Sequence, residues 1–211
     1  MKFIKIIGII FGILLIAIIG YGIYSYSAIT RGELKDLGVR YTEADAEYAI
    51  KDKAGVDVPN LSKVYFGSNF ISEGKVYVEQ TFTDAEVSAI QNYANEKAGP
   101  FKHVQIKFIG DDVVEASGYV DDPRVTIPGP VYVRGKVIQT GPKSFTTNIE
   151  SLQVGNYKVP KAIIQQANTE FLEYVNGILD GIDGLNIESV KINNGSVDFK
   201  GTLPAKVYSL N

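Results

Sequence analysis

The chain has 211 residues, a net charge of −3 and no cysteine. Its length suits one domain with a short additional segment. Beyond Arg31 there are 18 basic against 24 acidic residues, a balance of −6, and no basic stretch stands out. This charge pattern argues against binding to nucleic acid. With no cysteine and a single histidine, His103, the chain also lacks the usual ligands of a zinc site.

An uncharged apolar run opens the chain. It extends from Ile6 to Tyr24 and is preceded by Lys2 and Lys5. As a helix it would be about 28 Å long, close to the ~30 Å hydrocarbon core of a bilayer. Since positive charge favours the cytoplasmic side, residues 1–26 are predicted to be a cytoplasmic stub and a transmembrane signal anchor. The protein would be a single-pass cell-membrane protein with an extracytoplasmic C-terminal domain.

Two further features bear on this anchor. Small residues at 25–28 leave a cleaved signal peptide as the alternative, although the apolar run exceeds the usual ~7–15 residues of such peptides. Gly8 and Gly12 form a Gly-x-x-x-Gly pair, which lets two membrane helices approach closely. A homodimer through these two glycines is therefore a second hypothesis.

The rest of the chain divides into three predicted segments. Residues 27–40 are a juxtamembrane linker, 41–75 a short helix and loop region, and 76–211 an antiparallel α+β domain. Two similar phrases, Tyr41–Asp45 and Phe82–Glu86, each place a threonine three positions before an acid. That spacing is typical of a capped helix start and predicts helices at about 43–53 and 84–97. An internal repeat and independent use of the same capping chemistry both explain the similarity.

Strands dominate the domain. Apolar and polar residues alternate along 76–82 and 103–108, and turn residues separate later strands at about 113–120, 131–140 and 144–154. A closing hairpin is predicted to turn at Asn194-Gly195 with positive φ at both residues. Consecutive hairpins and few helices indicate an α+β fold, in which an antiparallel sheet packs on or wraps around a long amphipathic helix.

That long helix is predicted at about 160–181, with Pro160 in its first turn. Its apolar residues recur at helical spacing, which favours burial of one face at the centre of the core. The stripe consists of Ile163, Ala167, Phe171, Tyr174, Ile178 and Ile182, widened by Ile164, Val175 and Leu179.

Residues 149–160 form a strand, a glycine, a short apolar stretch and a proline that lead into this helix. That segment, together with Phe82–Glu86, resembles a signature of the YpmS-type proteins of Gram-positive bacteria. The resemblance covers roughly 76–203, and residues 41–75 have no counterpart in it. It implies a membrane-anchored extracytoplasmic domain of unassigned activity. The order of elements is also similar to the tubular lipid-binding families, in which a curled sheet shelters acyl chains around a helix.

A lipid groove is therefore one hypothesis, and an ordinary packed core is the other. If the groove exists, the residues expected to line it are Ile163, Ala167, Phe171, Tyr174 and Ile178. Two acidic pairs, Asp111-Asp112 and Asp121-Asp122, could supply oxygen ligands for calcium. Asp111-Asp112 is more typical of a hairpin turn, and Asp121-Asp122 of a loop that ends a strand, so no metal or cofactor is predicted.

The sequence contains no recognisable catalytic pattern, and His103 falls on the polar face of its strand. We therefore expect a non-enzymatic binding or envelope-associated protein that contacts a lipid, a lipid-linked molecule or an envelope protein. The alternative is a structural or assembly module that scaffolds a membrane complex without a small ligand. A hydrolase that uses a pair of carboxylates is a third, more remote reading.

Overall fold

The computed structural model describes residues 32–61, 70–95, 99–121 and 129–209. The predicted transmembrane helix, with Gly8 and Gly12, lies outside these ranges. Among the residues that are described, no helix is both long and apolar enough to cross a membrane. Within the ranges, the description omits the side chains of Phe70, Gln166, Ala167, Glu170, Phe171, Tyr174, Ile178 and Ser209.

The described chain has an α+β fold, as predicted. Helix α1 (Glu43–Glu47) runs into a π-helical segment (Tyr48–Lys53), and α2 (Asp84–Asn95) and α3 (Lys161–Asp180) follow later. The strands are β1 (Phe70–Glu73), β2 (Val76–Thr83), β3 (Phe101–Gly110), β4 (Val113–Val120), β5 (Val131–Gly141), β6 (Ser144–Val154), β7 (Tyr157–Lys158), β8 (Asn186–Asn193), β9 (Ser196–Leu203) and β10 (Lys206–Ser209).

The strands form three sheets whose named strand pairs are all antiparallel. The largest has the order β3-β4-β5-β6-β7, so each strand lies beside its neighbour in sequence. A second sheet has the order β2-β9-β8, and β1 pairs with β10. The closing hairpin of β8 and β9 thus shares a sheet with β2. This pairing joins the N-terminal and C-terminal parts of the described domain.

Tight turns set the register of these hairpins. Asp111 and Asp112 connect β3 to β4 and both have positive φ, 51° and 64°. Such a pair matches the right-handed twist of the strands it joins. At the β8–β9 turn only Gly195 has positive φ, 79°. The prediction of positive φ at Asn194 was therefore wrong, because one glycine is enough to reverse the chain there.

Both predicted caps are present at the helix starts. The Thr42 N–H donates to the Asp45 carboxylate over 2.6 Å, and the Thr83 N–H donates to Glu86 over 2.8 Å. Glu86 has a second partner, because Lys53 Nζ lies 2.6 Å from its carboxylate in a largely buried ion pair. The same capping chemistry therefore starts both helices, and the ion pair joins the π-helical segment to α2.

Helix α2 is buried on most of its sides. Eight of its twelve residues are buried, including the polar residues Ser88, Gln91 and Asn95. The sequence carried only a weak signal for this burial, because hydrophobic periodicity detects a helix with one buried face. That α3 lies at the centre of the core stays a prediction, since four side chains of its apolar stripe lie outside the described residues. Helix α3 packs against β6 and contributes Ile164, Val175 and Leu179 to the core.

Polar side chains of α2 take the place of a strand along the free edge of β3. Asp84 accepts the Phe108 N–H, and Ser88 accepts the Ile106 N–H, in hydrogen bonds of 2.7 and 2.8 Å. One turn further on, the Asn92 side chain bonds both the N–H and the C=O of Val104. A step of four residues rises about 6 Å along a helix, and a step of two residues rises about 6.7 Å along a strand. Side chains four positions apart on α2 therefore reach backbone groups two positions apart on β3.

Residues 32–39, called the strap below, cross the outer face of the five-stranded sheet. A Cβ at Gly32 would lie 2.7 Å from the backbone of Gly155, at the β6–β7 turn. Further along, the Lys35 C=O accepts a hydrogen bond from Ser117 of β4, and the Leu37 N–H donates to Gln105 of β3. Leu37 and Val39 are buried. The predicted linker 27–40 therefore includes a segment packed on the domain.

Candidate functional site

A groove opens between the N-terminal half of α3 and β6. Its volume is about 250 Å³, and it is open to solvent on one side. It is called the α3–β6 groove below. Polar and apolar groups share its wall almost equally. The groove is lined by Asn148, Ile149 and Glu150 of β6 and by Lys161, Ile164, Gln165 and Asn168 of α3.

The floor of the groove is apolar. Ile149 and Ile164 are 8% and 3% exposed, respectively, and both belong to the main hydrophobic core. The helix residues of the groove are spaced 161, 164, 165 and 168, which puts them on one face of α3. Lys161, Glu150 and Gln165 are exposed at its rim. The groove thus combines an apolar floor with one cation and one carboxylate near its opening.

Asparagines of α3 explain why the groove ends where it does. The Asn176 side chain bonds the N–H and the C=O of Phe145, both over 3.0 Å. Asn168 donates to the Thr147 C=O over 3.1 Å. These contacts seal the edge of β6 from position 145 to 147. At the other side, β7 pairs with Gln153 and Val154. Of the edge between them, residues 148–150 face the groove.

The backbone at Ile149 is oriented toward this opening. In an antiparallel ladder the N–H and C=O groups of alternate residues point to the same edge. Those of Phe145 and Thr147 bond α3, so the groups of Ile149 point the same way. A bulge follows directly, because Ile149 is paired with Gly135 but Ser151 with Arg134, leaving Glu150 as the extra residue. The groove thus lies at an irregular stretch of strand edge.

A charged network adjoins the groove on the outer face of the sheet. Arg134 bonds Glu150 through Nε over 3.0 Å and Glu115 through Nη1 over 2.8 Å. Tyr132 also donates to Glu115 over 2.9 Å, and Lys35 Nζ of the strap lies 3.4 Å above the Tyr132 ring. The network therefore connects the groove rim to the strap.

The network shifts the ionisation of its members. Burial raises the pKa of Glu115, but hydrogen bonds from Arg134 and Tyr132 outweigh burial and leave that pKa below its ordinary value. Burial and the neighbouring Glu115 carboxylate both raise the pKa of Tyr132. Glu115 is consequently ionised and Tyr132 protonated near neutral pH, which suits a fixed structural network better than proton transfer.

Of the predicted lining residues, only Ile163 has a described side chain. Ile163 is half-buried and packs against the core, without lining the groove. Ala167, Phe171, Tyr174 and Ile178 belong to α3, but their side chains lie outside the described residues. Their role in lipid binding stays a prediction. The groove is built on the neighbouring helix face, where the sequence had marked only Ile164 as part of the apolar stripe.

Neither the acidic pairs nor the histidine lines this groove. Asp111 and Asp112 form the β3–β4 turn, Asp121 follows β4, and Asp122 lies outside the described residues. His103 is exposed, sits at a bulge with φ 54°, and contacts the Tyr119 ring edge-on. Within the described part of the chain, no three His, Cys, Asp or Glu side chains come together to hold a metal ion.

Sequence reasoning overlooked the edge-binding residues Asn168, Asn176, Ser88 and Asn92. A signal for α2 was present in the spacing of Asp84, Ser88 and Asn92, which recur every four residues on one helix face. Short polar side chains in a helix interior are unfavourable unless they bond backbone nearby. Their repetition therefore indicates that the helix lies along a strand edge. No family model, curated protein or solved structure matches the chain.

Proposed function

We propose that the chain is a non-catalytic binding protein held in the cell membrane by residues 6–24, with its α+β domain on the extracytoplasmic side. Its ligand is a lipid or lipid-linked molecule, of which one acyl-chain end occupies the α3–β6 groove. The observation that carries this proposal is the groove's combination of an apolar floor, Ile149 and Ile164, with a cation, Lys161, at the rim. The resemblance to YpmS-type proteins points in the same direction.

The groove's dimensions restrict what enters it. Small-molecule sites usually enclose ~300–1,000 Å³, whereas this groove has about 250 Å³. A whole phospholipid does not fit in that volume, and the end of a single chain is the largest apolar group suited to it. The polar part of the ligand would then remain outside, next to Lys161.

Charge at the rim favours an anionic head group. Glu150 already contacts Arg134 over 3.0 Å, so its charge is partly neutralised. Lys161 is exposed at the start of α3, where the helix dipole also favours negative charge. A phosphate outside the groove would therefore meet the Lys161 ammonium and the N-terminus of α3. The described lining contains no nucleophile with a neighbouring base, and this supports binding without catalysis.

Lipid binding can be tested on the full chain purified from membranes in detergent. Mass spectrometry of extracted lipid and titration with a fluorescent fatty acid measure occupancy. Gln165→Trp, which fills the groove from its exposed rim, should weaken fatty-acid binding about tenfold or more, a loss of ~1.4 kcal/mol. Thr169→Trp is the matched control, because Thr169 is exposed on α3 and does not line the groove. Absence of bound lipid, or equal affinity in the two variants, would refute the proposal.

The alternative is an assembly module without a small ligand, and one observation favours it. The open edge of β6 at residues 148–150 can accept a strand from a protein partner, since unpaired backbone groups are a template for strand addition. A photo-crosslinker at Asn148 in intact cells separates the two functions. A lipid adduct supports the lipid-binding function, whereas a protein adduct alone, missing from an Asn186 control, supports the assembly module.

A further inference from the structure

The path of the strap determines where the chain enters the domain. In chain order it contacts the β6–β7 turn through Gly32, β5 and β4 through Lys35, and β3 through Leu37. Lys107 of β3 adds a bond from Nζ to the Leu37 C=O over 3.0 Å. The strap is thus held at four places across the sheet, and its start is fixed beside Gly155.

The five-stranded sheet has two distinct ends. The entry end carries the Gly155-Asn156 turn, where the Gly155 N–H bonds the Pro130 C=O over 2.7 Å, and Pro100 at the start of β3. The distal end carries the β3–β4 turn at 111–112 and the β5–β6 turn at 142–143. Strands β5 and β6 have 11 residues each, so the two ends are ~36 Å apart.

We infer that the entry end of the domain faces the membrane and lies at the lipid head groups. This inference rests on the anchor of the proposed function. Seven residues, 25–31, separate the apolar run from Gly32, and fully extended they span at most ~25 Å. That reach is shorter than the sheet, so a strap fixed beside Gly155 cannot place the distal end nearest the bilayer unless it detaches.

The orientation brings the α3–β6 groove within reach of lipid. Lys158, in β7, is paired with Gln153 next to the entry-end turn. Lys161 at the groove rim follows three residues later, at most ~11 Å along the chain. Lys158 and Lys161 are exposed near this end, but so are Glu33 and Asp121. The charges are mixed, so the tether and the strap, rather than electrostatic attraction, determine which end meets the surface.

Single-cysteine labelling tests the orientation cleanly, because the chain has no cysteine of its own. Full-length Asn156→Cys reports on the entry end and Thr140→Cys on the distal end, and both positions are exposed. Each is labelled with a fluorophore and reconstituted into phosphatidylcholine vesicles that contain lipid with a quencher on its head group. Quenching at position 156 should be several-fold stronger than at position 140.

A strap variant shows whether the strap sets this difference. Gly32→Val places a Cβ against the Gly155 backbone and should displace the start of the strap. In that background, quenching at 156 should fall toward that at 140 while the far-ultraviolet dichroism stays native. If quenching at 156 and 140 is equal or reversed in the protein with the wild-type strap, and that protein floats with the vesicles, the orientation is overturned but the proposed anchor is not. Protein that fails to float with vesicles overturns the proposed anchor and the orientation with it.

Discussion

Gln91 is a buried amide, and the loss of folding stability that its burial causes should be measurable. Its side chain lies in α2, is 1% exposed, and neither its Oε1 nor its Nε2 has a hydrogen-bond partner among the described residues. An unsatisfied buried polar group costs ~1–3 kcal/mol. Gln91→Leu should therefore raise the free energy of unfolding by about 1–2 kcal/mol, measured by urea denaturation. Gln80→Leu, at an exposed position of β2, should change it by under ~0.5 kcal/mol. A Gln91→Leu protein less stable than wild type would show that the amide has a partner.

Glu115 makes part of the stability depend on pH. Because its pKa is lowered in the folded protein, its contribution is complete above the ordinary value of 4.5 and is lost as pH falls through the lowered pKa. Glu115→Gln should destabilise the protein at pH 7, and its difference from wild type should narrow on acidification. Unfolding curves from pH 7 to pH 3 measure this. Glu173→Gln, an exposed change on α3, is the control, and a gap that stays constant with pH contradicts the assignment.

At the scale of elements, helices bond backbone groups of β3 and β6, the first and last long strands of the largest sheet. Helix α2 bonds β3 through Asp84, Ser88 and Asn92, and α3 bonds β6 through Asn168 and Asn176. Exposed strand edges promote edge-to-edge aggregation, and covering them with a helix is one way to prevent it. Among the described residues, the α3–β6 groove lies where this cover is interrupted, beside residues 148–150, and this is why the groove is the candidate binding site.

Removal of one edge-binding side chain should be costly. Asn92→Ala leaves the N–H and C=O of Val104 without the partner that now bonds both. We expect a loss of about 2–3 kcal/mol in the free energy of unfolding. Glu173→Ala, at an exposed position of α3, should stay within ~0.5 kcal/mol of wild type. Equal stability of the two variants would mean that water replaces the asparagine at no cost. Thermal or urea unfolding resolves a difference of this size.

At the scale of the whole molecule, the strap belongs to the folded domain. Leu37 and Val39 are 5% and 7% exposed, and Gln105 accepts the backbone N–H of both. A chain that lacks residues 1–31 keeps these contacts, whereas one that lacks 1–39 loses them. Because apolar burial is lost with the strap, the free energy of unfolding should fall by ~3 kcal/mol. For a domain of this size that corresponds to a decrease of about 6–12 °C in Tm. Calorimetry of the two truncated proteins tests this, and equal Tm values would show that the strap is dispensable.

Local sequence was sufficient for most of the elements. Strands 113–120 and 144–154 begin and end where predicted, and the threonine–acid spacing located the starts of α1 and α2. Alternation and capping act between residues a few positions apart, so they are visible in the chain itself. The candidate site was less accessible: of its lining, only Ile164 had been placed in the apolar stripe of the long helix.

Tertiary contacts were needed for the rest. Asp84 meets Phe108 across 24 positions, Asn176 meets Phe145 across 31, and Leu37 meets Gln105 across 68. No local pattern states which strand edge a polar helix face will cover, or that a predicted linker will lie across a sheet. Those outcomes depend on which backbone groups are left unpaired once the sheet has formed, and a buried N–H or C=O must then find whatever partner the assembled fold brings near.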